Sequence, residues 1–405
     1  MKTINIAQLA SGMYVVNAQT SSGKALKIQG LISNPAQIEL LRSKGVTQLG
    51  IDPARQQPTE LDVDDSSQFN MVTTAADSPS LTARQSMKKL SMAQEIKKAK
   101  ALYSEAKSLQ KRAFADITNG KAINVADFRR CAEGFIDSVF RNQDALLCIS
   151  RMREKDAYLL EHSVNVSILM TIFAKYLKLD EPTIEELATG ALLHDIGKIK
   201  VPDAILNKPG RLTDDEFVVM RQHVEFSRDI LQQTEGISPI SLDVAANHHE
   251  RMDGRGYPAG LKQEQISLHA RMIAIVDTYD AITAQRVYKS GQSCVRALKI
   301  LRSDSPAHFD LELVKQFIAA IGMYPPGTLV LMDSEKLALV LENNPSSLTC
   351  PVVKVFYHTK RRCYLPPLTV DLANPKCDDA IKSAVDAADY GIDLKKFFNE
   401  FIMQV

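Results

Sequence analysis

The sequence predicts a mainly α protein: a helical bundle with a small N-terminal α/β domain and a C-terminal antiparallel β extension. Three observations carry that expectation. From about residue 125 to 325, segment after segment has apolar residues at i, i+3, i+4 and i+7, the period of a helix that buries one face. Before residue 62, short β-type runs flank one helical stretch. After Pro325-Pro326-Gly327 the texture changes to strand-like runs divided by turn residues.

Taken in order, residues 1–62 place strands at Met13–Val16 and Ala25–Ile28 and a helix at Pro35–Lys44, ending in "VTQLGIDP". Residues 63–86 are rich in Ser, Thr, Asp and Ala without periodicity and read as a linker. Residues 87–149 read as connecting helices. Over 87–116, Leu90, Ala93, Ile96, Ala101 and Tyr103 fall near helical spacing beneath a lysine-rich, solvated face. A coiled-coil-like homodimer contact is an added reading of that helix. Residues 150–325 form the bundle, from "DAYLLEHSVNVSILMTIFAKYL" to "HARMIAIVDTYDAITAQR". Residues 326–405 supply the strands "TLVLMD", "LALVLEN", "VVKVFYHT" and "YLPPLTVDL", then a last helix near 393–403.

The chain has 405 residues, 45% of them hydrophobic and 24% charged, enough to bury a sizeable core. A formal net charge of +1 gives no bulk attraction to a nucleic acid polymer or an anionic membrane, so an anionic ligand needs a local site. Cys131, Cys148, Cys294, Cys350, Cys363 and Cys377 lack CxxC spacing, which argues against a zinc ribbon and a disulfide framework and for a reducing compartment. The N-terminus makes a poor signal peptide, and no apolar run approaches the roughly 18 to 20 residues of a membrane span. A cytoplasmic chain without an integral membrane segment is the expectation.

Five of the eight histidines lie in the helical middle: His162, His194 beside Asp195, His223, His248 and His249. Asp277 follows Ile273, Ile275 and Val276, where a buried carboxylate needs a partner. A bundle core can bring these seven donors together from five segments. Imidazole with carboxylate and no thiolate suits iron, manganese or zinc rather than a structural zinc site. Seven donors exceed one tetrahedral site. With Asp195 as a bridge they hold two divalent ions, an arrangement that activates water and cleaves phosphate esters. Lys198 follows Asp195 at helical spacing, and Arg286 and Lys289 follow the Asp277 helix, so all three are candidates to meet the phosphate. His269, His308 and His358 lack carboxylate company in the sequence and read as surface or packing residues.

The run "HDIGKIKVPDAILNKPGRLTDDEF", then "HVEFSRDIL", "HHERMDGRGYPAGL" and "ARMIAIVDTYDAITAQRVYK", resembles the HD-GYP domain in order and spacing over about residues 150–325. The resemblance implies an HD-type helical bundle and a metal-dependent phosphodiesterase that opens cyclic di-GMP to pGpG and sometimes GMP. Cyclic GMP-AMP is the alternative substrate. A non-catalytic nucleotide sensor or docking module and a phosphohydrolase of nucleotide monophosphates are the alternative classes.

The family's metal ligands match His162, His194, Asp195, His223, His248, His249 and Asp277. The implied division puts His162, His194, Asp195 and Asp277 around one ion and Asp195, His223, His248 and His249 around the other. Iron or manganese comes first, and zinc, nickel, magnesium and cobalt are further ions of this kind. The resemblance puts Lys198, Asp280, Arg286 and Lys289 on the nucleotide, with Asp195 and Lys198 catalytic. It makes Gly256, Tyr257 and Pro258 a motif loop that a diguanylate cyclase domain is expected to meet. Tyr158 stands where members with a third metal carry glutamate, so two metals are expected. Val287 stands where many members have proline. The first 62 residues resemble the small domain that precedes many HD-GYP domains, for which a regulatory or dimer-forming role is expected.

Overall fold

A computed structural model describes residues 2–6, 9, 13–20, 25–26, 30–31, 41, 46–51, 84, 87–152, 158–284 and 291–403. The chain divides into two compact units, Met1–Ala76 and Asp77–Val405.

In the first unit, β1 (Lys2–Asn5), β2 (Tyr14–Thr20), β3 (Ala25–Leu26), β4 (Gly30–Leu31) and β5 (Val46–Ile51) form an antiparallel sheet in the order β1-β5-β2-β3, with β4 also on β2. Val15, Val46, Leu49 and Ile51 are buried and pack with Leu9 and Leu41. Leu41 is helical; the rest of the helix expected at Pro35–Lys44 lies outside the described residues.

The second unit opens with two long helices, α1 (Met92–Thr118) and α2 (Val125–Arg151). Ser91 starts α1 through a capping box with Gln94, which satisfies two of the orphan N–H groups of its first turn. Its buried stripe runs through Ile96, Ala99, Tyr103 and Ala106, whereas Ala101 is exposed. Ile96 and Tyr103 thus face inward as expected, and only Ala101 departs, because alanine and the aliphatic stems of lysine leave the edge of the apolar stripe poorly defined. Helix α2 is broken at Asn142, where φ is −164° and ψ is 98°. The Asn142 side chain bridges the break, donating to Leu90 O and accepting from Asp144 N.

The remaining helices are α3 (Tyr158–Tyr176), α4 (Glu181–Leu193), α5 (Asp203–Leu206), α6 (Asp214–Gln232), α7 (Pro239–Asn247), α8 (Leu268–Thr283), α9 (Cys294–Ser303) and α10 (Leu311–Ile321). Their starts are written in the sequence. Asp180, Thr213, Ser238 and Ser267 cap α4, α6, α7 and α8, each accepting a backbone N–H of the first turn. Ile168, Phe173, Leu187, Ile273, Val276 and Phe317 lie in one continuous core. Arg84, inside the expected linker, is buried, with its guanidinium on Asp137 at 3.0 Å and on Glu181 at 3.1 Å. The end of the linker is therefore fastened to α2 and α4. Composition gave no hint of it, because a single anchoring arginine does not alter the polarity of its neighbours.

The C-terminal extension is an antiparallel sheet of β6 (Leu329–Met332), β7 (Lys336–Glu342), β8 (Val352–His358), β9 (Cys363–Asp371) and β10 (Ile381–Ala384), in the order β10-β6-β7-β8-β9. The final helix α11 (Leu394–Phe401) seats Phe397 on Phe356, with ring centroids 3.9 Å apart. Among the described residues no helix is long and apolar enough to cross a membrane.

Candidate metal centre

Five segments of the second unit converge on one buried cluster. His162 comes from the first turns of α3 and His223 from the middle of α6; His194 and His248 sit at the C-caps of α4 and α7. Asp195 follows His194 and opens a 3₁₀ turn, Ile196–Lys200, that ends the helical run. Asp277 reaches in from α8.

Gly197 fixes that turn against α6. A Cβ there would strike the His223 carbonyl and the Ser227 amide, and the Gly197 N–H donates to Ser227 Oγ at 2.9 Å. Glycine thus lets the backbone carrying Asp195 lie directly on the backbone carrying His223.

Asp195 is the hub. Its Oδ2 lies 3.5 Å from His162 Nε2 and 3.4 Å from His194 Nε2, while its Oδ1 lies 3.4 Å from His223 Nε2 and 3.8 Å from His248 Nε2. Asp277 Oδ1 stands 3.0 Å from His162 Nε2, and Oδ2 stands 3.9 Å from His249 Nδ1. Three overlapping triads each bring their donor atoms within 4.8 Å of one another: His162, His194 and Asp277; His194, Asp195 and His248; His223, His248 and His249.

Backbone geometry aims the imidazoles. The Nδ1 of His194, His223 and His248 lies 2.7, 2.6 and 2.8 Å from the carbonyls of Ala191, Met220 and Ala245, each three residues earlier in the chain. A carbonyl can only accept, so Nδ1 carries the proton and the Nε2 lone pair faces the cluster. His162 achieves the same through Asp280, whose Oδ2 is 2.8 Å from His162 Nδ1.

Charge and burial agree with this arrangement. Burial lowers the pKa of His194, His223 and His248, and it pushes His249 down to about 3, so the rings stay neutral. Burial also opposes ionisation of Asp195 and Asp277, but the Lys198 ammonium outweighs it for Asp195, and His162 at 3.0 Å outweighs it for Asp277. Both carboxyls are held well below the ordinary range. Two carboxylates against one ammonium leave the centre net negative.

The donor set fits metal. Neutral imidazole nitrogens and ionised carboxylates are ligands without further proton loss. His194 Nε2 and Asp195 Oδ1 are moreover fully buried with no hydrogen-bond partner. A divalent cation removes the desolvation penalty of both.

Several expectations need adjustment. Asp280, assigned to the nucleotide by resemblance, is fully buried behind His162 and bonds its Nδ1. It stands one helical turn beyond Asp277 on α8, and sequence spacing does not say which of two carboxylates on one face lies deeper. The Lys198 ammonium bonds Asp195 Oδ2 directly, which sets it inside the centre. At 28% for the His249 side chain and 17% for Lys198, these are the more exposed members, so solvent reaches the centre on their side. Arg286, Val287 and Lys289 lie outside the described residues. His269 has a carboxylate neighbour after all, Asp243 at 3.8 Å.

The motif loop packs over the centre. The ring of Tyr257 lies 4.7 Å from that of His249 and 4.9 Å beneath the Arg221 guanidinium, while Gly256 leaves no room for a Cβ against the backbone of Glu250 and Arg251. Sequence reasoning passed over Glu250. This buried carboxylate accepts the N–H groups of Ala259, Gly260 and Leu261 at 2.7, 3.1 and 2.9 Å and ties the end of the loop, beyond Pro258, to its beginning. The available signal was an acid set immediately before a glycine-rich turn full of unpaired donors.

Replacing Asp280 by asparagine keeps the shape of the His162 partner but removes its charge. Metal affinity, measured by competition with a chromophoric chelator, is expected to fall about 10- to 100-fold with the helical circular dichroism unchanged. An unaltered affinity would show that Asp280 does not orient the ligand.

Residues 147–313 match the family described as HD domain, and residues 1–128 match a domain of unknown function, DUF3391. A cyclic di-GMP phosphodiesterase of Pseudomonas aeruginosa is 38% identical over 94% of this chain and 91% of its own length. A 3'3'-cGAMP-specific phosphodiesterase of Vibrio cholerae is 38% identical over 40% of this chain and 37% of its own. An HDG"Y"P protein of Bdellovibrio bacteriovorus of known structure overlaps 78% of this chain and 97% of its own at 16% identity, with a TM-score of 0.46.

Proposed function

This chain belongs to the HD-GYP family of cyclic di-GMP phosphodiesterases, and from that premise we propose that it hydrolyses cyclic di-GMP at the His/Asp centre to the linear dinucleotide pGpG. The observation that carries the reading is the buried seven-donor cluster with two orphaned donor atoms, His194 Nε2 and Asp195 Oδ1.

Two divalent ions, iron or manganese first, would be held by His162, His194, Asp195 and Asp277 on one side and by Asp195, His223, His248 and His249 on the other. When bound, such a pair supplies Lewis acidity at the phosphate and lowers the pKa of water toward neutrality. Tyr158, with no carboxylate to offer, supports two ions rather than three.

The chain's own residues divide the remaining work. Asp280 and three backbone carbonyls hold the imidazoles in orientation, so the ligand set needs little rearrangement. Lys198, on the open side, offers its ammonium to a non-bridging phosphate oxygen. Arg286 and Lys289 add positive charge for the nucleotide. The Tyr257 ring packs on the His249 imidazole, and burial raises the Tyr257 hydroxyl above its ordinary range, so it stays a donor.

Cyclic GMP-AMP is the competing substrate, because relatives named for either nucleotide share the same region of this chain. Hydrolysis assays of both, on protein loaded anaerobically with Fe(II) or Mn(II), are expected to give faster turnover of cyclic di-GMP and a pGpG product. Faster turnover of the hybrid would reverse the choice. A docking role for the motif loop, with a diguanylate cyclase domain as partner, is favoured by Phe217 and Val218. They are 41% and 61% exposed on α6, and Phe217 packs beside Tyr257. The six cysteines, all free, support a reducing cytoplasm.

A further inference from the structure

A second polar cavity lies away from the ligand cluster, walled by α1, α2, α3 and the C-terminal helix α11, with a volume of about 160 Å³. Helix α1 contributes Lys100 and Lys107 and α11 contributes Lys395, so three lysines line one space. The charges are arranged rather than scattered. Lys107 Nζ is held by Glu161 at 2.7 Å, and Lys100 Nζ is held by Asn399 at 3.2 Å, an interaction that ties α11 to α1. Among the described residues three lysines stand against the one carboxylate of Glu161, a net positive lining. Tyr103 and Ser104 also line the cavity, and the apolar part of its wall is Ile149, Phe398 and Met152.

We propose that this cavity binds an organic phosphate monoester, its phosphate among Lys100, Lys107 and Lys395 and its organic part against Phe398 and Met152. Lysines act as point charges and suit a tetrahedral dianion, whereas a planar carboxylate is met best by the fork of arginine, and among the described residues no arginine lines the cavity. An apolar wall beside the ammonium groups favours an ester over the inorganic ion. The site is separate from the phosphodiester chemistry. Glu161 nevertheless precedes His162 on α3, so an occupant that competes for Lys107 acts on the turn that presents a metal ligand.

The test is calorimetric titration of full-length, chelator-treated protein, which takes the metal centre out of play. GMP and glucose 6-phosphate are the probes, separating a nucleotide from a sugar ester, with inorganic phosphate and guanosine as the two halves. At least one ester is expected to bind saturably and more tightly than either half. The variant K100Q/K395Q is expected to weaken that binding about tenfold, the sum of two partly exposed ion pairs. D195A is expected to leave it unchanged. The proposal fails if neither ester binds, if K100Q/K395Q binds as tightly as the unaltered protein, or if D195A abolishes binding.

Discussion

Asp195→Ala is expected to lower the rate of cyclic dinucleotide hydrolysis by about 10³-fold or more, with the helical content unchanged. The magnitude follows from the convergence on this one carboxylate: four imidazole nitrogens lie between 3.4 and 3.8 Å of its oxygens, and Lys198 bonds it as well. Without it, the two halves of the cluster lose the carboxylate that stands within 4 Å of two imidazoles of each half. The Lys198 ammonium is left facing four neutral rings and Asp277, so the site also loses much of its attraction for cations. Metal content by mass spectrometry should fall together with the rate. A variant that kept both metal and turnover would show that Asp195 does not bridge the centre.

Much of this organisation was readable before any coordinates, for identifiable reasons. Helix starts at Asp180, Thr213, Ser238 and Ser267 are local, each a side-chain oxygen placed before an apolar-periodic run. The cluster was readable because His194 and Asp277 stand among apolar neighbours, and such groups are not buried without partners. Depth was not readable. Asp277 and Asp280 share one face of α8, and only packing tells the one that joins the ligand cluster from the one behind His162. Long-range fastenings were equally hidden. Arg84 finds Asp137 and Glu181 across 53 and 97 residues, and nothing in the serine- and aspartate-rich stretch around it marks the contact. Strand β10 was missed because Ile381–Ala384 is four residues long and acquires its strand character from β6.

Glu250→Ala is expected to cost about 3 kcal/mol, since a buried carboxylate that accepts three consecutive N–H groups is replaced by nothing able to receive them. The loop can partly turn to water, which holds the loss below the sum of three charge-assisted bonds. For a unit of this size the melting temperature should fall by about 4 °C. The local effect is more telling. Amide exchange at residues 255–261 should accelerate strongly, while α3 and α8 remain protected. Because the Tyr257 N–H donates to the His249 carbonyl at 3.2 Å and its ring covers that imidazole, loosening the loop also exposes one ligand of the centre to solvent. Glu250→Gln keeps one acceptor oxygen and should recover about half of the stability, which separates the anchoring bonds from side-chain volume. Unchanged exchange across the loop in Glu250→Ala would mean that glycine and proline hold its shape without the carboxylate. The carboxylate is the stronger candidate, because Gly256 and Gly260 widen the conformations open to the chain and a many-valued backbone needs a fixed acceptor to select one.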